Sequence, residues 1–361
     1  MNSFQVIHLV RRVSPTSMPW NDLYRTHWLI DKFSAGHVCS ISCIRSSGLH
    51  LDENSKRSFF RLNFATAMIA LYKIVIKNKR KNCRVIFHVH NMSLIPYVFL
   101  LRHTGAKFVL NVHNSLVNFN FIQHSLLKFG ISCFDAIIPV SVSVANEVIN
   151  VFPRVKSKIY PIKNGIHIDQ LMQVNDLRCY SIKKIDIIII ARFVEQKNVS
   201  RVLSVLSKCK NLGKVVWYGE GVEMASARVE VNNSALENIF EFRGVKPRKE
   251  VLEAIDKSIV YLSLSKWEGI GVANLEALSL PTEVILSDIP AHRELVSNLN
   301  FTLVNLKSSD EKIANIIDSK IMAHEQRERF LLERSAATRL DYDLRVLIGK
   351  YINVYKSVSH N

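Results

Sequence analysis

Residues Ser258–Ser287 read SIVYLSLSKWEGIGVANLEALSLPTEVILS, and this stretch decides the fold. Its opening run, Ser258–Leu264, is apolar and carries the β-branched and aromatic residues of a strand buried on both faces. Ser265–Gly271 follows as a glycine-containing loop, and Val272–Ser279 has the composition of a buried helix. After the break at Pro281, Glu283–Ser287 is strand-like again. A strand, a helix and a second strand in immediate succession form a βαβ unit, whose two strands run parallel with the helix on one face.

The same alternation extends outward in both directions. Lys184–Ala191 contains four consecutive isoleucines, as expected where both sheet faces are covered. Helix Val199–Lys208, strands Lys214–Tyr218 and Ile239–Phe242, and helix Arg248–Ala254 fill the rest of this half. Upstream, strand Gln5–Val10, helix Asp22–Ser34 and strand Val38–Ile44 precede one broad helical face over Lys56–Asn82. Strand Val85–His90, helix Ser93–His103, strand Lys107–His113, helix Phe121–Cys133 and strand Ala136–Ser141 come next. The pattern restarts after the Asn-Gly turn at Asn164-Gly165. The reading is α/β, two Rossmann-like domains with a boundary near residues 164–180. Ligands of such sheets bind beyond the carboxyl ends of the strands, so the cleft between the domains is the expected active site.

Composition bounds the alternatives. A chain of 361 residues with 48% hydrophobic and 22% charged content is a folded protein of about two domains. No apolar run approaches the ~20 residues of a membrane-spanning helix. The first residues lead straight into a strand-like run without a signal-peptide pattern, which sets the expectation of a cytoplasmic protein. The six cysteines form no C-x-x-C and no zinc-spaced cluster, so reduced, buried thiols are expected. The net charge of +17 is uneven: residues 1–165 hold 21 Lys and Arg against 6 Asp and Glu, whereas residues 166–361 are almost balanced. The first half is therefore expected to face something anionic, such as a lipid surface, a diphosphate-linked acceptor or nucleic acid.

The chemistry concentrates in Ser265–Ala277. Glu268 lies in the strand-to-helix loop and Glu276 two turns into the helix. Gly269 and Gly271 leave backbone bare at the helix start, where free N–H groups and the positive dipole end suit a phosphate. Two carboxylates beside a phosphate site do not serve its charge, but they suit hydrogen bonds from vicinal hydroxyls of a ribose or hexose. Together these features describe a nucleoside diphosphate sugar.

With those residues the chain resembles family 4 of the GT-B-fold glycosyltransferases. The hallmark is S-x-x-E-G-x-G-x-x-x-x-E-A, here Ser265 to Ala277, followed by I-P-x-x-x-E-L, here Ile289 to Leu295. Ala191-Arg192-Phe193-Val194-Glu195-Gln196-Lys197-Asn198 resembles the family's strand-end G-R-L-x-x-x-K-G. The resemblance implies that Arg192 and Lys197 neutralise the donor diphosphate, a task two cations perform without a metal. It further implies donor-binding roles for Gly219, Gly221, Val245, Ser265, Gly269, Gly271 and Glu276. Glu268 would contact the transferred sugar, and His113 would lie near the reaction centre. His88 and His90 also fall where the family places histidines.

The implied architecture is GT-B, two facing Rossmann-like domains, 1–165 and 166–340. A closing helix over about 341–361 would cross back to the N-terminal domain. The implied activity is retaining transfer of a hexose-type sugar without cofactor or metal. The donor is a nucleotide sugar and the acceptor a saccharide, lipid-linked given the basic first half, at the inner face of an anionic membrane. Surface polysaccharide assembly, such as O-antigen or capsule, is the pathway this analogy points to. The chain departs from the family at Ser14–Asp22, which holds no glycine where most members carry a Gly-Gly loop. Trp20 and Asn21 in that stretch are the acceptor candidates, by stacking and hydrogen bonding. Asp341-Tyr342-Asp343 has the look of a metal-binding D-x-D, but in a tail helix it reads as structural. The rival classes are a basic nucleic-acid-binding protein, for which no recognition module is visible, and a GT-B sugar epimerase or phosphorylase.

Overall fold

The computed structural model describes residues 4–10, 39–43, 58–59, 64–166, 168, 171, 184–210, 212–295 and 301–360. Helix Asp22–Ser34, Trp20, Asn21 and the glycine-free stretch of residues 14–22 lie outside the described residues. The chain divides into two compact units, residues 1–164 with 345–361, and residues 165–344.

In the first unit the described strands are β1 (Phe4–Val10), β2 (Cys39–Cys43), β3 (Ser58–Phe59), β4 (Arg84–Val89), β5 (Lys107–Val112) and β6 (Ala136–Pro139). They form one parallel sheet in the order β3-β2-β1-β4-β5-β6. This is the doubly wound order in which the winding direction reverses between β1 and β4. The expected helix over Lys56–Asn82 is corrected here. Ser58–Phe59 pairs with Ser42–Cys43 as an edge strand, and the described helix is Phe64–Lys79. Aromatic residues fit a pleated edge as well as a helical face, so the periodicity there did not separate the two. Strand β6 stops at Pro139 because the Ser141 hydroxyl accepts the Val144 N–H at 3.1 Å and caps the helix Val142–Val151. Among the described residues one core cluster includes Ile7, Leu9, Phe87, Phe108, Leu110 and Ile137, and Val6, Ile86, Val109 and Ile138 are buried outside it.

The second unit repeats the order. Strands β7 (Ile185–Ile190), β8 (Val215–Tyr218), β9 (Phe240–Gly244), β10 (Ser258–Ser263), β11 (Glu283–Ser287) and β12 (Thr302–Val304) lie as β12-β11-β10-β7-β8-β9, all parallel. The reversal falls between β7 and β10. Ile187 and Ile189 enter the core under helices Val199–Leu206 and Asp310–Ala323, while Ile188 enters the opposite core under Arg248–Asp256 and Val272–Leu278. The isoleucine run is thus apolar because it serves both faces of the sheet.

The D-x-D is not inside a tail helix, as expected, but at a junction. Asp341 ends helix Glu328–Asp341, Tyr342 is buried, and Asp343 forms a backbone bridge with Ile166. The closing helix is Leu344–His360, and from Arg345 onward it belongs to the first unit. Arg84 donates to the Ser359 carbonyl there, and the Tyr355 hydroxyl lies 2.7 Å from His88 Nδ1. Among the cysteines, Cys133 is buried, while Cys83 and Cys209 are only partly so, and these three are free thiols.

Candidate functional site

The loops after β7 and β10 meet at the reversal point of the second sheet. Asn198 adopts a left-handed conformation, φ +59°, which turns the chain from the first loop into helix Val199–Leu206. Its side-chain amide donates to the Leu264 carbonyl at 3.2 Å. Gln196 accepts the Lys266 N–H on its carbonyl at 2.9 Å and donates its side-chain amide to the Trp267 carbonyl at 2.9 Å. It also reaches Glu268 Oε2 at 3.4 Å. Lys197 forms an ion pair with Glu268 Oε1, and the Ser265 hydroxyl donates to that same oxygen at 2.9 Å. Both Ser265 and Glu268 are buried. Arg192 is exposed and makes a long contact to Gln196 Oε1, 3.4 Å.

The glycine-containing turn rests on a buried polar chain. Gly271 has φ +67° and begins helix Val272–Leu278, and a Cβ there would come 2.4 Å from Asn274 Nδ2. Asn274 accepts from the Tyr261 hydroxyl at 2.8 Å and donates to His292 Nε2 at 2.9 Å. His292 Nδ1 donates to the Ser287 carbonyl at 2.8 Å, and the Ser287 hydroxyl donates to the Ser265 carbonyl at 2.6 Å. Burial lowers the His292 pKa, which keeps the ring in the neutral tautomer this chain requires. The turn is thereby fixed with backbone N–H groups free at the helix start.

Glu276 is buried on the next turn of that helix and pairs with Arg248, at the start of helix Arg248–Asp256. Gly219 and Gly221 lie against the loop after β7. A Cβ at either would stand 2.0–2.2 Å from the carbonyl oxygen of Ala191 or Phe193. Close backbone packing requires glycine at both positions. Val245 follows Gly244, the last residue of β9, and is partly exposed. Gly269 is buried within the loop.

The turn before β11 reads Pro281-Thr282-Glu283, and helix Glu328–Asp341 holds it. Arg334 donates to the carbonyls of Leu280 and Thr282 at 2.9 and 2.7 Å, and Arg327 pairs with the buried Glu283.

In the first unit, His113 follows β5. Its Nε2 lies 2.8 Å from Asn111 Nδ2 and 3.3 Å from His90 Nδ1, and His90 Nε2 lies 3.0 Å from His8 Nδ1. His8, His90, His113 and Asn111 are thus linked in one buried chain of ring nitrogens, whose donor and acceptor roles are set by the tautomers. Burial lowers the pKa of His113 to about 4 and of His8 to about 3, and His88 is pushed well down by burial and by its histidine neighbours. His8 escaped the sequence reading, because its pairing with His88 depends on β1 lying beside β4. Gln196, Asn198, Arg248, Asn274 and His292 escaped it for the same kind of reason.

Comparison with known proteins places these features in a family. Residues 181–331 match the family profile described as Glycosyl transferases group 1, and residues 34–170 match Glycosyltransferase Family 4. An uncharacterized 41.2 kDa protein in the cps region of Klebsiella pneumoniae is 23% identical over 211 residues, and this stretch spans 56% of each chain. Among solved structures, Anabaena HepE in complex with UDP and glucose is 13% identical, with a TM-score of 0.75 over 98% of this chain and all of the other. The lipopolysaccharide outer core galactosyltransferase WaaB, in its apo form, is 15% identical with a TM-score of 0.68 over 98% of this chain and 99% of the other. The repeated doubly wound sheets, the two profile matches that follow one another along the chain and the structural likeness agree, and the chain belongs to the family 4, group 1 glycosyltransferases of GT-B fold.

Proposed function

We propose that the protein transfers a hexose-type sugar from a nucleoside diphosphate sugar to a lipid-linked saccharide, with retention at the anomeric carbon, during surface polysaccharide assembly. The observation that carries this reading is the joining of the β7 and β10 loops through Lys197 and Glu268, beside the fixed helix start at Gly271. The site lies at the carboxyl ends of the two strands where the winding of the sheet reverses, the usual ligand position in such folds.

In this reading the donor diphosphate lies over the free N–H groups at the start of helix Val272–Leu278. Lys197 has three N–H donors, and its pairing with Glu268 aims the remainder at phosphate oxygens. Arg192 adds a second, more exposed positive charge. As the sugar–phosphate bond breaks, negative charge grows on the leaving diphosphate, and these fixed donors stabilise it without a metal. Glu268 accepts hydrogen bonds from the sugar hydroxyls. Glu276, held by Arg248, takes the ribose hydroxyls. His113, neutral near pH 7, hydrogen-bonds a sugar hydroxyl through its ring. The displacement takes place on one face of the sugar, assisted by the leaving phosphate.

The basic first half of the chain supports an acceptor at the inner, anionic face of a membrane. The capsule-region relative and the lipopolysaccharide and UDP-glucose neighbours support a polysaccharide pathway and a sugar nucleotide donor. The test is incubation with labelled nucleotide sugars and extracted membrane lipids. Transfer of label into an extractable lipid, with the donor's anomeric configuration kept in the product by NMR, is the expected result. Label appearing only as free sugar or sugar phosphate would reject the transferase reading.

A further inference from the structure

An apolar surface on the first unit has no part in the reading so far. In helix Ile95–Leu101, Ile95, Tyr97, Val98 and Leu101 are buried, whereas Phe99 and Leu100 point away from the core. Helix Phe121–Gly130 buries Leu127 and Gly130 but leaves Phe121 and Phe129 86% and 73% exposed, with Ile122 between them in sequence. The two helices touch at Gly130, where a Cβ would stand 2.2 Å from Ile95 Cγ2, so their outer sides join. The groove between them is lined only by Ile95, Pro96, Phe99, Leu100, Leu126 and Phe129. Single exposed apolar residues are ordinary, but a joined set of this kind marks an interaction surface.

The charge around it selects the partner. Residues 64–134 contain nine Lys and Arg and no Asp or Glu. On helix Phe64–Lys79, the exposed Ile69, Tyr72 and Ile76 share a face with Lys73 and Lys77 at i, i+3 and i+4 spacing. Tyr72 lies 6.0 Å from the His103 ring, which joins this stripe to the end of the neighbouring helical segment. A second copy of the chain would bring two cationic surfaces together, which is unfavourable. An anionic phospholipid surface matches both components, because phosphates take the cations and the acyl boundary takes the aromatic rings.

We infer that Phe99, Leu100, Phe121, Ile122 and Phe129 insert into an anionic phospholipid membrane, with the basic stripe of helix Phe64–Lys79 lying on the headgroups. This deepens the membrane part of the proposed function and rests on it, and it adds apolar insertion to charge attraction.

The test is flotation with vesicles of phosphatidylcholine and phosphatidylglycerol, compared with phosphatidylcholine alone, for the wild type and a Phe121→Ser/Phe129→Ser variant. Both replaced side chains are exposed, so the variant is expected to keep its Tm and its nucleotide-sugar binding. The wild type is expected to float with the anionic vesicles and to keep part of that binding in high salt. The double variant is expected to lose at least about tenfold in partitioning. In a Phe129→Trp variant, brominated lipid is expected to quench fluorescence beyond the wild-type level. Equal flotation of wild type and double variant, or no added quenching, would overturn insertion while leaving charge-driven docking intact. No flotation of the wild type at low salt would overturn both. Lipid-free self-association that the serine variant abolishes would also overturn the inference, by assigning the surface to a second copy.

Discussion

Lys197 and Glu268 are 71 residues apart in the chain, yet they form an ion pair at the carboxyl ends of two adjacent strands, β7 and β10. The carboxylate also accepts from Ser265 and approaches Gln196, so its orientation is fixed from both loops. Removing such a pair from water costs much of what the attraction returns. Its effect is therefore mainly positional: it sets a cation and a hydrogen-bond acceptor where a phosphate and a sugar would meet.

A double-mutant cycle measures that coupling. Lys197→Ala and Glu268→Ala are each expected to abolish sugar transfer. In urea unfolding the double variant is expected to cost less than the sum of the singles, with a coupling of about 1–3 kcal/mol. Additive losses would mean that the two groups do not act as a pair.

Gly271 tests the turn. Gly271→Ala places a methyl group against Asn274 at a backbone angle that side chains rarely adopt. A loss of about 1–3 kcal/mol in stability is expected, together with weaker nucleotide-sugar binding by calorimetry. Unchanged binding would detach this helix start from the donor.

The Arg327–Glu283 pair explains how the Pro281-Thr282 turn is held. Arg327→Ala removes the ion-pair partner of the buried Glu283, leaving only the charge of nearby Arg334, and is expected to cost about 1–3 kcal/mol in chemical denaturation. Glu283→Gln in that background is expected to recover part of the loss, because the charge is removed with the shape kept. No recovery would assign the cost to lost packing of the Arg327 stem.

The buried histidines make stability depend on pH. Their folded pKa values lie below the ordinary 6.5, at about 3 for His8 and about 4 for His113, so the unfolded chain binds protons first as pH falls. This contribution to stability is expected to be complete above about pH 6.5 and to drop steadily between there and about pH 3. His8→Gln is expected to flatten the Tm profile in that window. A His8→Gln slope equal to the wild type would show that this imidazole is not held neutral by the fold.

The strands were legible because their residues face two cores. Four isoleucines in Ile187–Ile190 have no other economical use, and Ser258–Ser263 is buried throughout. Helices Val142–Val151 and Met224–Asn232 were not legible, since valines at both favour strand by composition, and only the Ser141 cap decides the first. Helix Phe64–Lys79 was read too long because Phe59 suits either element. In the site, Arg192, Lys197, Ser265, Glu268 and Gly271 stand in local patterns that the sequence displays. Gln196, Arg248, Asn274 and His292 matter through contacts with distant segments, and no local spacing encodes those.

The most direct measurement is thermal unfolding of the wild type and Lys197→Ala against UDP-, GDP-, ADP- and dTDP-sugars. One donor is expected to raise the wild-type Tm, since ligand at a hundredfold excess over its Kd adds roughly 2.7 kcal/mol, and Lys197→Ala is expected to lose that rise. No shift with any of these donors, or an equal shift in both proteins, would contradict a nucleotide-sugar site built on Lys197 and Glu268.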